Sequence, residues 1–350
     1  MPNHSNRTRS NLFARDRPRA RRLPLSILII AALLVVFGLI NPLHLPMTIN
    51  PGSVSLPPPT SFPTALPRPT DIHGGHIVFT CTRKEINQIC RIRADGSGYE
   101  QLTSGTANSY YPAIAPDGRH IVYAVNQYDE FDLYRLSPDI LEGTRSSESR
   151  VKRLTDYIGN AFSPSYSPDG RQVVFVNRVA EGRPALWLMQ SDGLDPHVLY
   201  TPPGGIVGAA WSPDGRKVAF TMALENSFSF DVYLLDLDAP DATPKRVSSQ
   251  ISDMGGSLSW SPDQNDLLIF AGPAAAREIY RLDIATGAVS QLTFGGNNAS
   301  PAYSPDGRFI VFNSLRNGGQ ADLYVMQADG HSTRQLTDDP EPDWQPQWGP

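Results

Sequence analysis

Between residues 71 and 350 the apolar positions fall in short runs broken by Pro, Asp, Gly and Ser, and the runs recur. Ile121-Val122-Tyr123, Val173-Val174-Phe175, Val218-Ala219-Phe220, Leu268-Ile269-Phe270 and Ile310-Val311-Phe312 are five such runs. Their β-branched and aromatic content, with turn residues on both sides, predicts buried strands rather than helices. Each follows a turn signature: Ala115-Pro116-Asp117-Gly118-Arg119, Ser167-Pro168-Asp169-Gly170-Arg171, Ser212-Pro213-Asp214-Gly215-Arg216, Ser261-Pro262-Asp263 and Ser304-Pro305-Asp306-Gly307-Arg308. Pro presets φ, Asp bonds its own backbone and Gly accepts the left-handed conformation, so each signature reverses the chain between two strands.

The unit around the signature is longer than a hairpin. An aromatic or aliphatic residue stands two before each proline (Ile114, Tyr166, Trp211, Trp260, Tyr303, Trp348). A third strand follows, as in Leu133-Tyr134-Arg135-Leu136 and Leu323-Tyr324-Val325-Met326, and a fourth ends in Gln101-Leu102-Thr103, Arg153-Leu154-Thr155, Gln291-Leu292-Thr293 or Gln335-Leu336-Thr337. Successive signature prolines lie 52, 45, 49 and 43 residues apart, and Pro350 lies 45 beyond the last, a period that suits one four-stranded propeller blade. Residues 76–103 supply strands two to four of a blade, while Gln345-Pro346-Gln347-Trp348-Gly349-Pro350 aligns with the first strand of the others. Five whole repeats and one split repeat predict an all-β, six-bladed β-propeller closed by its C-terminal strand, which leaves no open sheet edge. The fifth signature lacks Gly, so its turn is expected to be one residue longer, with Asn265 in the left-handed position.

This repeat resembles the WD40-like repeat of the TolB family, and residues 71–350 look like a six-bladed TolB-type propeller. The resemblance specifies the fold and leaves function open, because the same architecture serves as scaffold, sensor, or accessory domain of peptidases and carbohydrate enzymes. TolB itself is soluble in the periplasm and carries an additional α/β domain; this chain has a different N-terminal region.

That region divides into three parts. Residues 1–22 form a basic tail with seven Arg against one Asp. Leu23 to Ile40 is an uncharged apolar run of 18 residues, about 27 Å as a helix, so residues 23–41 are expected to be a transmembrane signal anchor. A cleaved signal peptide is the alternative, although Phe37, Leu39, Ile40 and Asn41 make a poor cleavage site. The flanking Arg residues all precede the run, which places the N-terminus in the cytoplasm, the chain in the cell membrane as a single pass, and the propeller outside. Residues 42–70 hold nine prolines and read as a disordered spacer.

Charge and chemistry change the picture modestly. The whole chain carries −5, so with +6 in the tail the remainder carries −11, which disfavours nucleic acid as a partner. Cys81 and Cys90 are too few for a disulfide scaffold or a thiolate zinc site. A turn near Glu85 and Ile86 would set the two opposite each other for a disulfide, with two packed free thiols as the alternative. The signature aspartates suggest a metal ring, but the turn itself requires Asp there; His73 and His76 are the only histidines close in sequence. No G-x-S-x-G, H-E-x-x-H or Walker motif occurs, so no catalytic residue, metal or cofactor is assigned, and the protein is expected not to be an enzyme. An enzyme acting on glycans or peptides remains the alternative.

The loops joining one blade to the next contain Asp156, Asp253, Asp338 and Asp339, with Tyr111, Tyr157 and Trp344 among their aromatics, and no Lys or Arg. Acids and aromatics around a channel mouth favour a cationic protein or peptide ligand held without turnover.

Overall fold

The computed structural model describes residues 74–350, apart from 129, 138–149, 157, 224–228, 240–242, 249, 250 and 252. The expected tail, anchor helix and spacer therefore lie outside the described residues, as does Tyr157. Among the described residues no helix is long and apolar enough to cross a membrane.

Regular structure begins with β1 (His76–Arg83), β2 (Ile86–Arg93) and β3 (Glu100–Gln101). The second blade is β4 (Asn108–Ile114), β5 (Ile121–Gln127), β6 (Glu130–Leu136) and β7 (Val151–Arg153). The third is β8 (Asn160–Tyr166), β9 (Gln172–Arg178), β10 (Ala185–Gln190) and β11 (His197–Tyr200), and the fourth is β12 (Ile206–Trp211), β13 (Lys217–Ala223), β14 (Phe230–Asp236) and β15 (Lys245–Arg246). The fifth is β16 (Ser259–Trp260), β17 (Asp266–Ala271), β18 (Glu278–Asp283) and β19 (Val289–Gln291), and the sixth is β20 (Asn298–Tyr303), β21 (Phe309–Ser314), β22 (Asp322–Gln327) and β23 (Arg334–Gln335). β24 (Asp343–Gly349) then pairs antiparallel with β1, giving six four-stranded sheets. The first blade is thus built from both ends of the propeller sequence.

The signature turn explains why its residues recur. In four blades the Ser hydroxyl donates to the Asp carboxylate at 2.6 Å: Ser167 to Asp169, Ser212 to Asp214, Ser261 to Asp263 and Ser304 to Asp306. The same Asp oxygen accepts the N–H two residues on, from Arg171, Arg216, Asn265 and Arg308. The Ser oxygen meanwhile accepts the first or second N–H of the next strand, as from Lys217 at 2.9 Å. These bonds satisfy the turn's backbone locally, a task only a short polar side chain can perform. The serine bond is the largest influence holding Asp169, Asp214 and Asp263 below the usual carboxylate range. The carboxylates are therefore turn components.

Two expectations are corrected. The fifth turn is no longer than the others: Gln264 occupies the glycine position at φ +67°, and its N–H bonds Ser261 O at 2.9 Å as that of Gly307 bonds Ser304 O. Asn265 takes the place of the following Arg and donates its N–H to Asp263. The first hairpin turns at Lys84 and Glu85, both with positive φ, rather than near Glu85 and Ile86. Cys81 consequently faces Gln88 and Cys90 faces Phe79, a diagonal pair. Cys81 and Cys90 are nevertheless bonded, with Cα atoms 5.8 Å apart and both residues fully buried.

Packing follows the sequence period. The second strand of each blade places an aromatic ring between sheets, and Phe79, Phe175, Phe220 and Phe312 are completely buried. Each such ring contributes about 2–3 kcal/mol by leaving water. The inner strands bend at bulges where a residue with positive φ precedes proline: Tyr111-Pro112, Ser163-Pro164, Ser300-Pro301 and Gln345-Pro346. A proline has no ladder donor, and a bulge is where that loss is tolerated.

Candidate functional site: the channel mouth

The inner strands β4, β8, β12, β16 and β20 each enter from a blade-connecting loop and leave through a signature turn, so the two ends of the channel have different chemistry. At the signature end the channel widens to a cavity of about 390 Å³ lined by small and apolar residues such as Ala113, Pro164, Ala209, Leu258 and Pro350. At the other end the connecting loops meet the hairpins between second and third strands.

That second set of loops was not part of the sequence reading, and it supplies the missing cations. Arg83, beside the β1–β2 hairpin, donates to Asp339 Oδ2 at 2.8 Å and lies 3.8 Å from Asp343 Oδ1. In the β21–β22 connection, Arg316 donates to Asn298 Oδ1 at 3.0 Å and stacks over Tyr324, 4.7 Å from the ring centre. The mouth is therefore mixed in charge, although its connecting loops alone contain only acids.

The sequence-selected residues divide into a group and outliers. Asp338, Asp339 and Trp344 gather at the junction of the sixth and first blades, and Tyr111 joins them because its N–H donates to Gln345 Oε1 at 3.0 Å. The Tyr111 ring packs on Phe162 and Tyr110, and burial pushes its hydroxyl well above the ordinary phenol range. Asp156 is exposed and paired with Arg153 at 2.7 Å on the second blade, and exposed Asp253 sits between the fourth and fifth. No hydrogen bond or ion pair links Asp156 or Asp253 to the group among the described residues.

The group contains two further acids: Asp343, which the sequence shows only as one more loop acid, and Asp322, which it does not single out. Asp343 is 0% exposed and no hydrogen bond of ordinary geometry reaches either carboxylate oxygen; Asp322 is 4% exposed and its Oδ1 has no partner. Burial pushes the Asp343 carboxyl up to about 7, against the opposing pull of the Thr337 hydroxyl and Arg83. Burial, with Asp338 and Asp339 adding to it, pushes Asp322 up to about 6.

A repeat-level signal exists for Asp322. In other blades an acid or amide among the first three residues of the third strand receives the hydroxyl of the Thr or Ser two residues after the fourth: Thr103 to Gln88, Thr155 to Asp132, Ser248 to Asp231 and Thr293 to Glu278. The hydroxyl oxygen accepts the next N–H of the third strand in each case. In the sixth blade Thr337 accepts from Leu323 in the same way, but its hydroxyl lies beside Asp343, and Asp322 Oδ1 is left over. Among the described residues no three His, Cys, Asp or Glu side chains converge as metal ligands would.

Comparison with known proteins bears on the fold more than on this site. The chain is 35% identical over 140 residues to an uncharacterized protein of Agrobacterium fabrum, covering 40% of this chain and 46% of that one. It is 27% identical over 226 residues to the uncharacterized peptidase YuxL of Bacillus subtilis, covering 61% of this chain and 31% of the relative. The chain thus spans less than half the length of either curated relative. The crystal structure of TolB from Acinetobacter baumannii superposes with a TM-score of 0.67 at 24% identity, covering 80% of this chain and 69% of that one. Residues 177–350 match the family model of the TolB beta propeller domain, and with its six four-stranded sheets the described part of the chain is a TolB-like six-bladed propeller.

Proposed function

We propose that the chain is a membrane-anchored, extracytoplasmic and non-catalytic propeller whose channel mouth binds a basic or mixed peptide segment of a partner protein. The observation that carries this reading is the acid group at the sixth and first blades. Asp322 and Asp343 are buried with unsatisfied oxygens, Asp338 stands exposed beside them, and among the described residues Arg83 is the cation paired into the group. Buried carboxyl groups short of hydrogen-bond donors are costly, and an incoming ammonium or guanidinium would relieve that cost. Tyr111 and Trp344 supply apolar anchoring beside it. The arginines before the apolar run 23–41 support the topology, and the Cys81–Cys90 bond suits an oxidising compartment.

The test is association kinetics of basic peptides with the full chain at several salt concentrations. Asp338→Lys with Asp339→Lys should slow association, and Arg171→Glu with Arg216→Glu on the opposite face should not. Equal loss from both pairs would move the site elsewhere. A second reading, an enzyme or accessory domain acting on peptides or glycans, is favoured by the peptidase name of the Bacillus relative. Turnover of a peptide or glycan panel by the purified chain would establish it.

A further inference from the structure

A second cavity of about 390 Å³ opens on the signature-turn face, between the second and third blades and away from the mouth. Its polar lining comes from Asp117 and His120 of the second blade's turn, Arg135 of β6, Tyr166 of β8 and Asp169 of the next turn. The Tyr166 side chain is 9% exposed, and its hydroxyl oxygen is buried with no hydrogen-bond partner. Among the described residues Arg135 donates to the Ser191 carbonyl, at 3.4 Å, and pairs with no carboxylate.

The repeat shows why these groups are exceptional. At the position of Tyr166 the third-to-fourth and fourth-to-fifth junctions have Trp211 and Trp260, whose indole N–H groups donate to Gly215 O at 3.1 Å and Ala210 O at 3.2 Å. At the position of Arg135 the third and fourth blades have Leu188 and Leu234. Only the fifth-to-sixth junction repeats the pair, as Arg281 and Tyr303. There Asp266 occupies the position that His120 occupies in the second blade, and the Arg281 charge pulls on that carboxyl against the effect of its burial. One junction therefore carries its own carboxylate beside the Arg–Tyr pair; the other carries a histidine and a cavity.

We infer that the cavity between the second and third blades binds a small monocarboxylate, whose carboxylate takes the place that Asp266 fills in the fifth blade. Arg135 and the Tyr166 hydroxyl are the donors to it, a charge-assisted bond and a neutral one. The pocket lies within the size range that holds small ligands. Asp117 and Asp169 at its edge set the charge limit: they repel a dianion and accept an ammonium, so an α-amino acid or a peptide C-terminus fits as well as a simple acyl carboxylate.

Calorimetric titration of the full chain with acetate, glycine and glycylglycine, against acetamide, glycinamide and inorganic phosphate, tests this. The expected result is saturable binding of the carboxylates, at least tenfold tighter than their amides and tighter than phosphate at pH 7. Glycine binding tighter than acetate would assign an amino-acid or peptide source; acetate binding as tightly would assign the simple acid. Arg135→Leu, which installs the residue of the third and fourth blades, should weaken binding at least tenfold. Tyr166→Phe, which removes only the unpartnered hydroxyl and leaves the circular dichroism unchanged, should weaken it several-fold. Arg281→Leu should leave it intact. Absence of saturable carboxylate binding, equal affinity for amides, preference for phosphate, or unchanged binding in both Arg135→Leu and Tyr166→Phe would overturn the assignment.

Discussion

Gln345 accepts a hydrogen bond from the Thr80 hydroxyl at 3.0 Å across 265 positions of sequence. The same oxygen accepts the Tyr111 N–H at 3.0 Å, and the Gln345 N–H donates to Asn313 Oδ1 at 3.3 Å. One residue in the last strand thus ties three blades together at the bulge where β24 turns toward β1, its side chain joining the first and second and its backbone N–H reaching the sixth. Removing the side chain leaves the Tyr111 N–H without its acceptor, so Gln345→Ala should cost about 1–3 kcal/mol. Deleting Trp344 to Pro350 also uncovers the inner edge of β1 and the Phe309 ring that Trp348 stacks on, and should lower the melting temperature by more than ~10 °C. A deletion variant that melts with the full chain would mean that closure contributes nothing.

The disulfide closes a short loop at the edge of the same closure. Cys81 pairs across to Asp343 in β24, and the Tyr99 hydroxyl rests 3.0 Å from Cys90 Sγ. Replacing both cysteines by Ser should cost about 2.5 kcal/mol on the chain-entropy model for a loop of this length. Alkylation of material never exposed to reductant, read by mass spectrometry, should label neither thiol; labelling of both would refute the bond.

Gln264 is the one residue in a signature turn that holds the glycine conformation without being glycine, at φ +67°. Its side chain crowds its own backbone there, so Gln264→Gly should raise stability by about 1 kcal/mol, measured by denaturant midpoint at constant slope. The comparison Gly307→Gln in the sixth blade should lower it similarly.

Fold and site were unequally legible. The propeller could be read because a turn signature recurs five times and a buried aromatic and a terminal Thr recur in most blades, so that weak local signals confirm one another. The Cys81–Cys90 bond is legible, but the length of the Gln264 turn and the strand register of Cys81 are not, because a left-handed non-glycine residue and a two-residue change in register leave no mark on hydrophobic patterning. At the mouth, Asp338 and Asp339 were visible as surface acids. Arg83 was missed because it lies beside a hairpin within a blade, and only the closed ring brings that hairpin next to the loop carrying Asp339. Asp343 looked like one more loop acid, and its burial depends on the strand that completes the first blade.

Asp343 gives the chain a pH dependence of unusual sign. Its carboxyl titrates near 3.8 when unfolded and at about 7 when folded, so the folded state holds more protons through that interval. The stability associated with this group is fully present below about pH 4 and is lost as pH rises toward 7. Asp322, raised to about 6, adds to the same trend. Asp343→Asn removes the titration, so its melting temperature should exceed that of the parent increasingly from pH 4 to pH 8. A constant difference over that range would show that Asp343 does not take up its proton on folding.

The Thr that follows the fourth strand is the least conspicuous of the repeated residues, and the fifth blade shows what it does. Thr293 Oγ1 donates to Glu278 Oε2 at 2.6 Å while accepting the Ile279 N–H at 2.9 Å, and Asn298 donates to the same Glu278 oxygen at 2.8 Å. Glu278 is 9% exposed, so these donors, with the Gly295 N–H on its other oxygen, meet the carboxyl group in place of water. Thr293→Val keeps the shape but removes both bonds, leaving a buried N–H without an acceptor and a buried carboxylate short of a donor. The expected loss is about 3–5 kcal/mol, larger than that of an ordinary hydrogen bond because the carboxylate is desolvated. Thr293→Ser retains the hydroxyl and should cost under about 1.5 kcal/mol, the scale of losing one buried methyl. Equal losses from Val and Ser would mean that packing of the methyl group, rather than the bridge from Ile279 to Glu278, is what the repeat preserves.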